Sequence, residues 1–382
     1  MGRLDNKEKK FIWGQFFTKA HIVDTLVSLL LKYKTYDTKI KILEPSSGTG
    51  NFVTILKSKG FKDITECEID PELTKKPCDF FLFPLENKFD LIIGNPPFTK
   101  YNIKESYYYP KNYSDSEISP DKYLTPKLMK KEKTQIENIF ILKAIKHLKN
   151  KESSIAFVLP ISFFIKNKNK EIKSEIAKRF STIIIYQNDK KWFDEAIPCC
   201  FAIFTNIEEL KDKIILLYDN KGKIEEVLDK SKLMTEELIP GSFLYKKNNH
   251  REGIPLSNFL MDKVIKYKKS YKENNVSAAN ILEKNKIPEK ENVSDYYLAV
   301  VRVGNASVGK AGLINIKKDI LNDMFYVFKF KKEFDKNKDI KEKIVKLVNE
   351  NQEFFKNITF RIGSKSIKKS DVFNFKISSE KI

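Results

Sequence analysis

The segment from Lys39 to Phe52 constrains the fold more than any other part of this chain. Lys39 to Glu44 reads as a strand, Pro45-Ser46-Ser47-Gly48-Thr49-Gly50 as a turn of small residues, and Asn51-Phe52 as the start of a helix. Glycines in such a turn let a ligand approach the backbone, and the first N–H groups of the helix face it. A second strand, Ile64 to Cys67, ends at the acidic run Glu68-Ile69-Asp70. A third, Phe89 to Gly94, runs directly into Asn95-Pro96-Pro97-Phe98. Strand, helix and strand therefore alternate through Gly94, the pattern of a parallel sheet with helices on both faces.

The tetrapeptide Asn95 to Phe98 is chemically pointed. An asparagine carbonyl and the Pro96 backbone carbonyl can both accept hydrogens from a planar amino group. Proline has no donor of its own and stiffens the loop, and Phe98 offers a face for a flat base. An acidic residue about 20 positions after a glycine-rich turn suits a ribose diol, which makes Glu68 a candidate. In Asp79-Phe80 a carboxylate stands beside an aromatic, fit for an adenine amino group and ring.

With these motifs in this order, the first 210 or so residues resemble the gamma-class amino methyltransferases of bacterial restriction–modification systems. The resemblance implies a Rossmann-like class I α/β methyltransferase sheet and transfer of a methyl group from S-adenosylmethionine to adenine N6 in duplex DNA, with base flipping. It implies a cofactor set of Phe17, Thr18, Glu44, Pro45, Ser46, Ser47, Gly48, Gly50, Glu68, Ile69, Asp79 and Phe80, in which Thr18 contacts the methionine carboxylate. The catalytic set is Asn95, Pro96, Pro97 and Phe98. Ile155 to Pro160 matches a later strand, and Phe193 stands with Phe98 as a second aromatic against the flipped base. Such systems imply a companion restriction endonuclease. The amino chemistry also leaves open cytosine N4, RNA or a protein glutamine as acceptor, or a modification subunit that needs a separate specificity partner.

Further expectations concern organisation. The chain has 382 residues and a formal net charge of +20. Residues 241–382 hold 30 basic and 17 acidic side chains, a net of +13, so the smaller part carries most of the excess. That favours contact with a polyanion there. The expected division is a catalytic domain over 1–225, a linker over 226–245, and a basic α+β target-recognition domain over 246–382. Within that domain Val301-Arg302-Val303-Gly304-Asn305-Ala306-Ser307 echoes Phe360-Arg361-Ile362-Gly363-Ser364-Lys365-Ser366. Arginine can read guanine with both ends of its fork, so Arg302, Arg361 and Lys365 are the expected DNA contacts.

Four cysteines without CxxC or zinc spacing predict reduced thiols and no metal. No apolar run reaches the length of a membrane span, and the charged first residues do not read as a signal peptide. A cytoplasmic protein acting on double-stranded DNA is expected, with the oligomeric state open and a monomer favoured. Thr18 is the expected N-cap of a helix over His21–Leu31. Residues 99–134, rich in lysine and tyrosine, are expected as a cover near the target base.

Overall fold

The computed structural model describes residues 14–102, 133–195, 197–219, 223–248, 252–264, 276–359, 365–378 and 380. The chain forms two compact units, residues 1–240 and 241–382.

The first unit is built on an eight-stranded sheet. Its first elements are helix α1 (Ala20–Tyr33), strand β1 (Ile42–Glu44), helix α2 (Asn51–Ser58), β2 (Ile64–Glu66) and β3 (Leu91–Gly94). Two short antiparallel strands follow, β4 (Lys100–Asn102) and β5 (Lys133–Gln135), and then helix α3 (Ile136–His147). The sheet continues with β6 (Ser154–Pro160), helix α4 (Lys170–Arg179), β7 (Thr182–Asn188), β8 (Cys199–Thr205), β9 (Lys213–Asp219) and β10 (Lys223–Asp229). Strand order is β10-β9-β7-β8-β6-β3-β1-β2. β2, β1, β3 and β6 are mutually parallel, whereas β8 runs antiparallel to both β6 and β7. This is an α/β sheet of the Rossmann-like kind expected from the sequence, with β8 reversed.

The order places β1 between β2 and β3. The chain leaves β1 toward one edge to make β2, then crosses to the other side of β1 to make β3. Open α/β sheets bind ligands in the crevice at such a reversal, outside the carboxyl ends of the strands. The turn after β1 is Pro45–Gly50 and the turn after β3 is Asn95–Phe98, so topology alone brings the two strongest motifs together.

β1, β3 and nearly all of β6 are buried because both faces are covered, with Glu44 and Ser154 their polar members. α1 buries Ile22, Val23, Leu26, Val27 and Leu30, one stripe at helical spacing. Its start differs from expectation. Lys19 is the N-cap and makes no side-chain cap bond, which leaves Thr18 free for the site below. The expected linker is also corrected. Residues 226–245 contain half of β10, a short helix α5 (Lys232–Thr235) and much of helix α6 (Pro240–Asn248). β10 reads as charged because it is an edge strand, paired among the described residues only with β9, and its Val227 is 49% exposed.

In the second unit β11 (Ile254–Pro255) pairs with β16 (Lys376–Ile377), and β12 (Leu260–Val264), β13 (Tyr296–Val301), β14 (Ala311–Asn315) and β15 (Phe325–Phe330) form an antiparallel sheet of order β12-β15-β13-β14. β13 is buried on both faces. Tyr296, Leu298 and Val300 enter one apolar cluster, and Tyr297, Ala299 and Val301 another, as the two-residue period of a strand requires. Two helices follow, α7 (Lys338–Glu350) and α8 (Gln352–Asn357). They break at Asn351, whose side-chain amide donates to the Leu347 carbonyl. The echoed phrases meet. Val303 bridges Ser366, Gly304 N donates to Lys365 O at 2.8 Å, and Ile367 N donates to Arg302 O at 3.0 Å.

Candidate active site

A cleft opens where the β1 and β3 turns converge. Of the expected cofactor residues, Phe17, Thr18, Pro45, Ser46, Ser47 and Gly48 line one part of it. Glu68, Ile69, Asp79 and Phe80 line another, and Asn95 and Pro97 from the tetrapeptide also reach it. Glu44, Gly50, Pro96, Phe98 and Phe193 stand outside the lining.

Four of these five have a structural reason. Gly50 starts α2 at φ +77°, where a side chain would be strained. Glu44 lies behind the loops, 1% exposed, with Oε1 accepting from Ser46 N at 3.0 Å. Burial pushes its carboxyl well above the usual carboxylate range, and its Oε2 has no partner among the described residues. Pro96 is buried. Phe193 is corrected as a stacking face. It is 0% exposed and meets Phe98 edge-on at 5.9 Å, so it backs the Phe98 ring instead of presenting its own.

Asn95 is held firmly. Its Nδ2 donates to the Phe16 carbonyl at 2.6 Å, and Ser46 Oγ donates to its backbone carbonyl at 3.0 Å. A carbonyl only accepts, so the Phe16 contact fixes which amide atom points where. The amide oxygen Oδ1 is left buried, with no partner among the described residues. An unpaired buried acceptor costs about 1–3 kcal/mol unless something arrives to fill it. Thr18 carries a second such atom. It is 4% exposed, its Oγ1 is unpartnered among the described residues, and it faces the cleft from α1's approach.

Glu68 Oε2 accepts from Gly48 N at 2.6 Å and Oε1 from Asp70 N at 2.8 Å. Each oxygen retains room for a further donor. Burial raises its carboxyl above the usual range, against those two hydrogen bonds. Asp79 Oδ1 accepts from Phe81 N at 2.8 Å, which turns the chain into a short 3-10 segment and sets Phe80 beside the cleft. The set can hold an elongated ligand with an anionic group at Thr18, a diol at Glu68 and a flat ring at Asp79 and Phe80.

Sequence reading missed several participants. Gly14 has φ +59°, and a Cβ there would lie 2.7 Å from Phe98 N, so only glycine lets this strand of chain lie against the tetrapeptide. Phe16 supplies the carbonyl that orients Asn95 and stacks on Phe98 at 6.3 Å. Ile136 and Phe140 line the cleft from α3. No local pattern marks any of these four.

Behind Phe80 sits His147, fully buried against Phe80, Phe83 and Phe89. Its Nδ1 donates to the Asn87 carbonyl at 2.8 Å, and burial pushes the imidazole down to about 4. The unfolded chain, with an ordinary imidazole near 6.5, therefore takes up the proton first as pH falls. Stability from this group is full above about pH 6.5 and falls by up to roughly 3 kcal/mol toward pH 4. Urea titrations at pH 7 and pH 5 should show a larger loss for the parent than for His147→Leu. Equal losses would place the sensitivity elsewhere.

Of the expected DNA contacts, Arg302 donates through Nε to the Asp323 carbonyl at 2.5 Å and lies over the Tyr326 ring at 5.9 Å. Lys365 Nζ donates to the Lys356 carbonyl at 3.2 Å. Both are tied to their own unit while remaining partly exposed. Arg361 lies outside the described residues, as does most of the expected cover over 99–134.

The chain is 30% identical over 229 residues to the type II methyltransferase M.HincII of Haemophilus influenzae, covering 58% of this chain and 42% of that protein. It is 25% identical over 243 residues to the type II methyltransferase M.AccI of Acinetobacter calcoaceticus, again 58% and 42%. The chain thus spans less than half the length of these relatives. Among solved structures, the Type IIL restriction-modification enzyme MmeI in complex with DNA is similar at 12% identity and a TM-score of 0.49, over 97% of this chain and 69% of that one. The family model for N-6 DNA Methylase matches residues 66–289, which include Glu68, Asp79 and the Asn95–Phe98 turn. That match spans more than half of the sequence, and the chain belongs to the N-6 DNA Methylase family.

Proposed function

We propose that this chain is a sequence-specific DNA methyltransferase that uses S-adenosylmethionine to methylate adenine N6 in duplex DNA. The observation that carries the reading is the orphaned Asn95 Oδ1, oriented by the Phe16 carbonyl and facing a cleft with nucleoside-binding features.

S-adenosylmethionine, when bound, supplies an electrophilic methyl carbon on a sulfonium. Thr18 Oγ1 would hold the methionine carboxylate, Glu68 the ribose hydroxyls, and Asp79 with Phe80 the adenine. The target adenine leaves the duplex stack, because its amino group is otherwise out of reach. Phe98, braced by Phe16 and Phe193, supplies the face on which it rests. Asn95 Oδ1 and the Pro96 carbonyl accept the two amino hydrogens, which draws the nitrogen toward a pyramidal shape with its lone pair directed into the cleft. Positioning of this kind supplies most of the acceleration when the methyl carbon is already reactive. The basic second unit would contribute phosphate contacts, and a companion endonuclease is the partner such systems imply.

The test is transfer of labelled methyl from S-adenosylmethionine to genomic DNA, total RNA or protein, followed by nucleoside analysis. Label in DNA as N6-methyladenine is expected. Label confined to cytosine N4, RNA or protein would overturn the acceptor, and label appearing only after a second subunit is added would make the chain one part of an assembly.

Thr18→Val should weaken S-adenosylmethionine binding by about tenfold or more, the scale of a hydrogen bond to a charged group. Calorimetry on the folded variant measures this, and unchanged affinity would remove Thr18 from the site.

A further inference from the structure

Cys67 and Cys78 lie at opposite ends of the segment that carries the nucleoside-facing carboxylates, and the chain brings them back together. Their sulfurs are 3.1 Å apart. A disulfide is about 2.05 Å long, so closing the gap needs about 1 Å of movement. Cys67 is 0% exposed and is fixed from both sides, its N–H donating to Glu44 O and its carbonyl accepting from Ser47 N. Cys78 is half-buried and lines the cleft, so a reagent reaches it from there. Its N–H donates to Glu68 O at 2.7 Å. One residue along from each sulfur stand Glu68 and Asp79. Cys199 and Cys200, by contrast, are buried in β8.

We propose that Cys67 and Cys78 form a reversible disulfide, and that occupancy of the cleft and oxidation of the pair oppose each other. The second half rests on the cofactor reading above; the first does not. The oxidant is a small-molecule disulfide. The Cys78 thiolate attacks one of its sulfurs, forms a mixed disulfide and expels one thiolate. Cys67 then gives up its proton, attacks the Cys78 sulfur and expels the second. Two protein thiols are oxidised and one small disulfide is reduced to two thiols. The local chemistry favours Cys78 as first nucleophile. The hydrogen bond shared with Cys67 holds Cys78 below the ordinary thiol value, against partial burial, while Cys67 is held above it.

A ligand at Glu68 and Asp79 covers the path to Cys78, and a bond between the two sulfurs redraws the backbone that presents both carboxylates. Linkage makes the two effects equal in size. Oxidation should therefore weaken S-adenosylhomocysteine binding by about tenfold, within the ordinary range of coupling between sites, and the bound ligand should disfavour the disulfide by the same factor.

The experiment treats the full chain with oxidised glutathione, with and without saturating S-adenosylhomocysteine, and maps the peptides by mass. Expected are a Cys67–Cys78 crosslink, loss of the mass of two hydrogens, protection by the ligand, and reversal by dithiothreitol. In Cys67→Ala, Cys78 should stop at the glutathione adduct. A parent protein that also stops at the adduct, or that crosslinks at the same level with and without ligand, would overturn the proposal; the parent mapping decides this even if the variant does not fold. Failure of the reduced chain to bind S-adenosylhomocysteine would instead count against the cofactor reading, while the crosslink still decides the disulfide.

Discussion

Asn95→Ala is expected to lower methyl transfer by at least about a hundredfold while leaving donor binding nearly unchanged, since misplacement of about 1 Å at a reacting centre is enough for such a loss. The substitution removes Oδ1, the acceptor proposed for the target amino group, and Nδ2, which ties the turn to Phe16 O. It leaves Thr18, Glu68 and Asp79 in place. A control separates the two losses. Ser46→Ala removes the hydrogen bond to the Asn95 carbonyl but keeps the amide itself, so it should cost less than Asn95→Ala. Single-turnover rates and donor affinity are the measurements. If Asn95→Ala keeps its turnover, the amide is not the group that orients the acceptor.

Gly94→Ala should be the most damaging single methyl addition in the first unit. A Cβ on Gly94 would sit 2.1 Å from Glu44 Oε1 and 2.6 Å from its Cδ, and both residues are buried. Nothing so close is tolerated, so β3 or the Glu44 side chain must move. Overpacking costs about 1–3 kcal/mol and occasionally more, and here the displaced group also holds Ser46 N. A loss of about 3 kcal/mol by urea denaturation is expected. The cause is checked by coupling, because neighbouring substitutions do not add. Glu44→Ala combined with Gly94→Ala should be more stable than the sum of the two single losses predicts. Simple additivity would mean that the clash is not the origin.

The pairing also explains what was legible in the sequence. Alternating strand and helix signals with a glycine turn at 45–50 specify a parallel sheet, and the reversal of order at β1 then forces the two loops together. Glu68 and Asn95 are legible because they follow strand ends, and Asp79 because a carboxylate stands beside an aromatic. Gly14, Phe16, Ile136 and Phe140 are not. They act through a backbone carbonyl, a close approach or a long-range contact, and none of these leaves a local pattern. Phe193 shows the opposite failure. An aromatic in a motif-like setting read as a base contact, yet its ring is spent behind Phe98. β10 was read as linker because an edge strand can carry the charges of a loop. The echo of Arg302 and Arg361 was visible as a repeat, but the meeting of the two phrases needed the bridge from Val303 to Ser366.

The central claim is that one cleft joins a methyl donor to the Asn95 amide. A crystal structure with S-adenosylhomocysteine tests it most directly. The account predicts the carboxylate at Thr18, the ribose at Glu68, the adenine at Asp79 and Phe80, and the sulfur beside Asn95, whose Oδ1 makes no hydrogen bond to the donor. A ligand bound away from the β1 and β3 turns, or an Asn95 Oδ1 closed off by the donor itself, would contradict it.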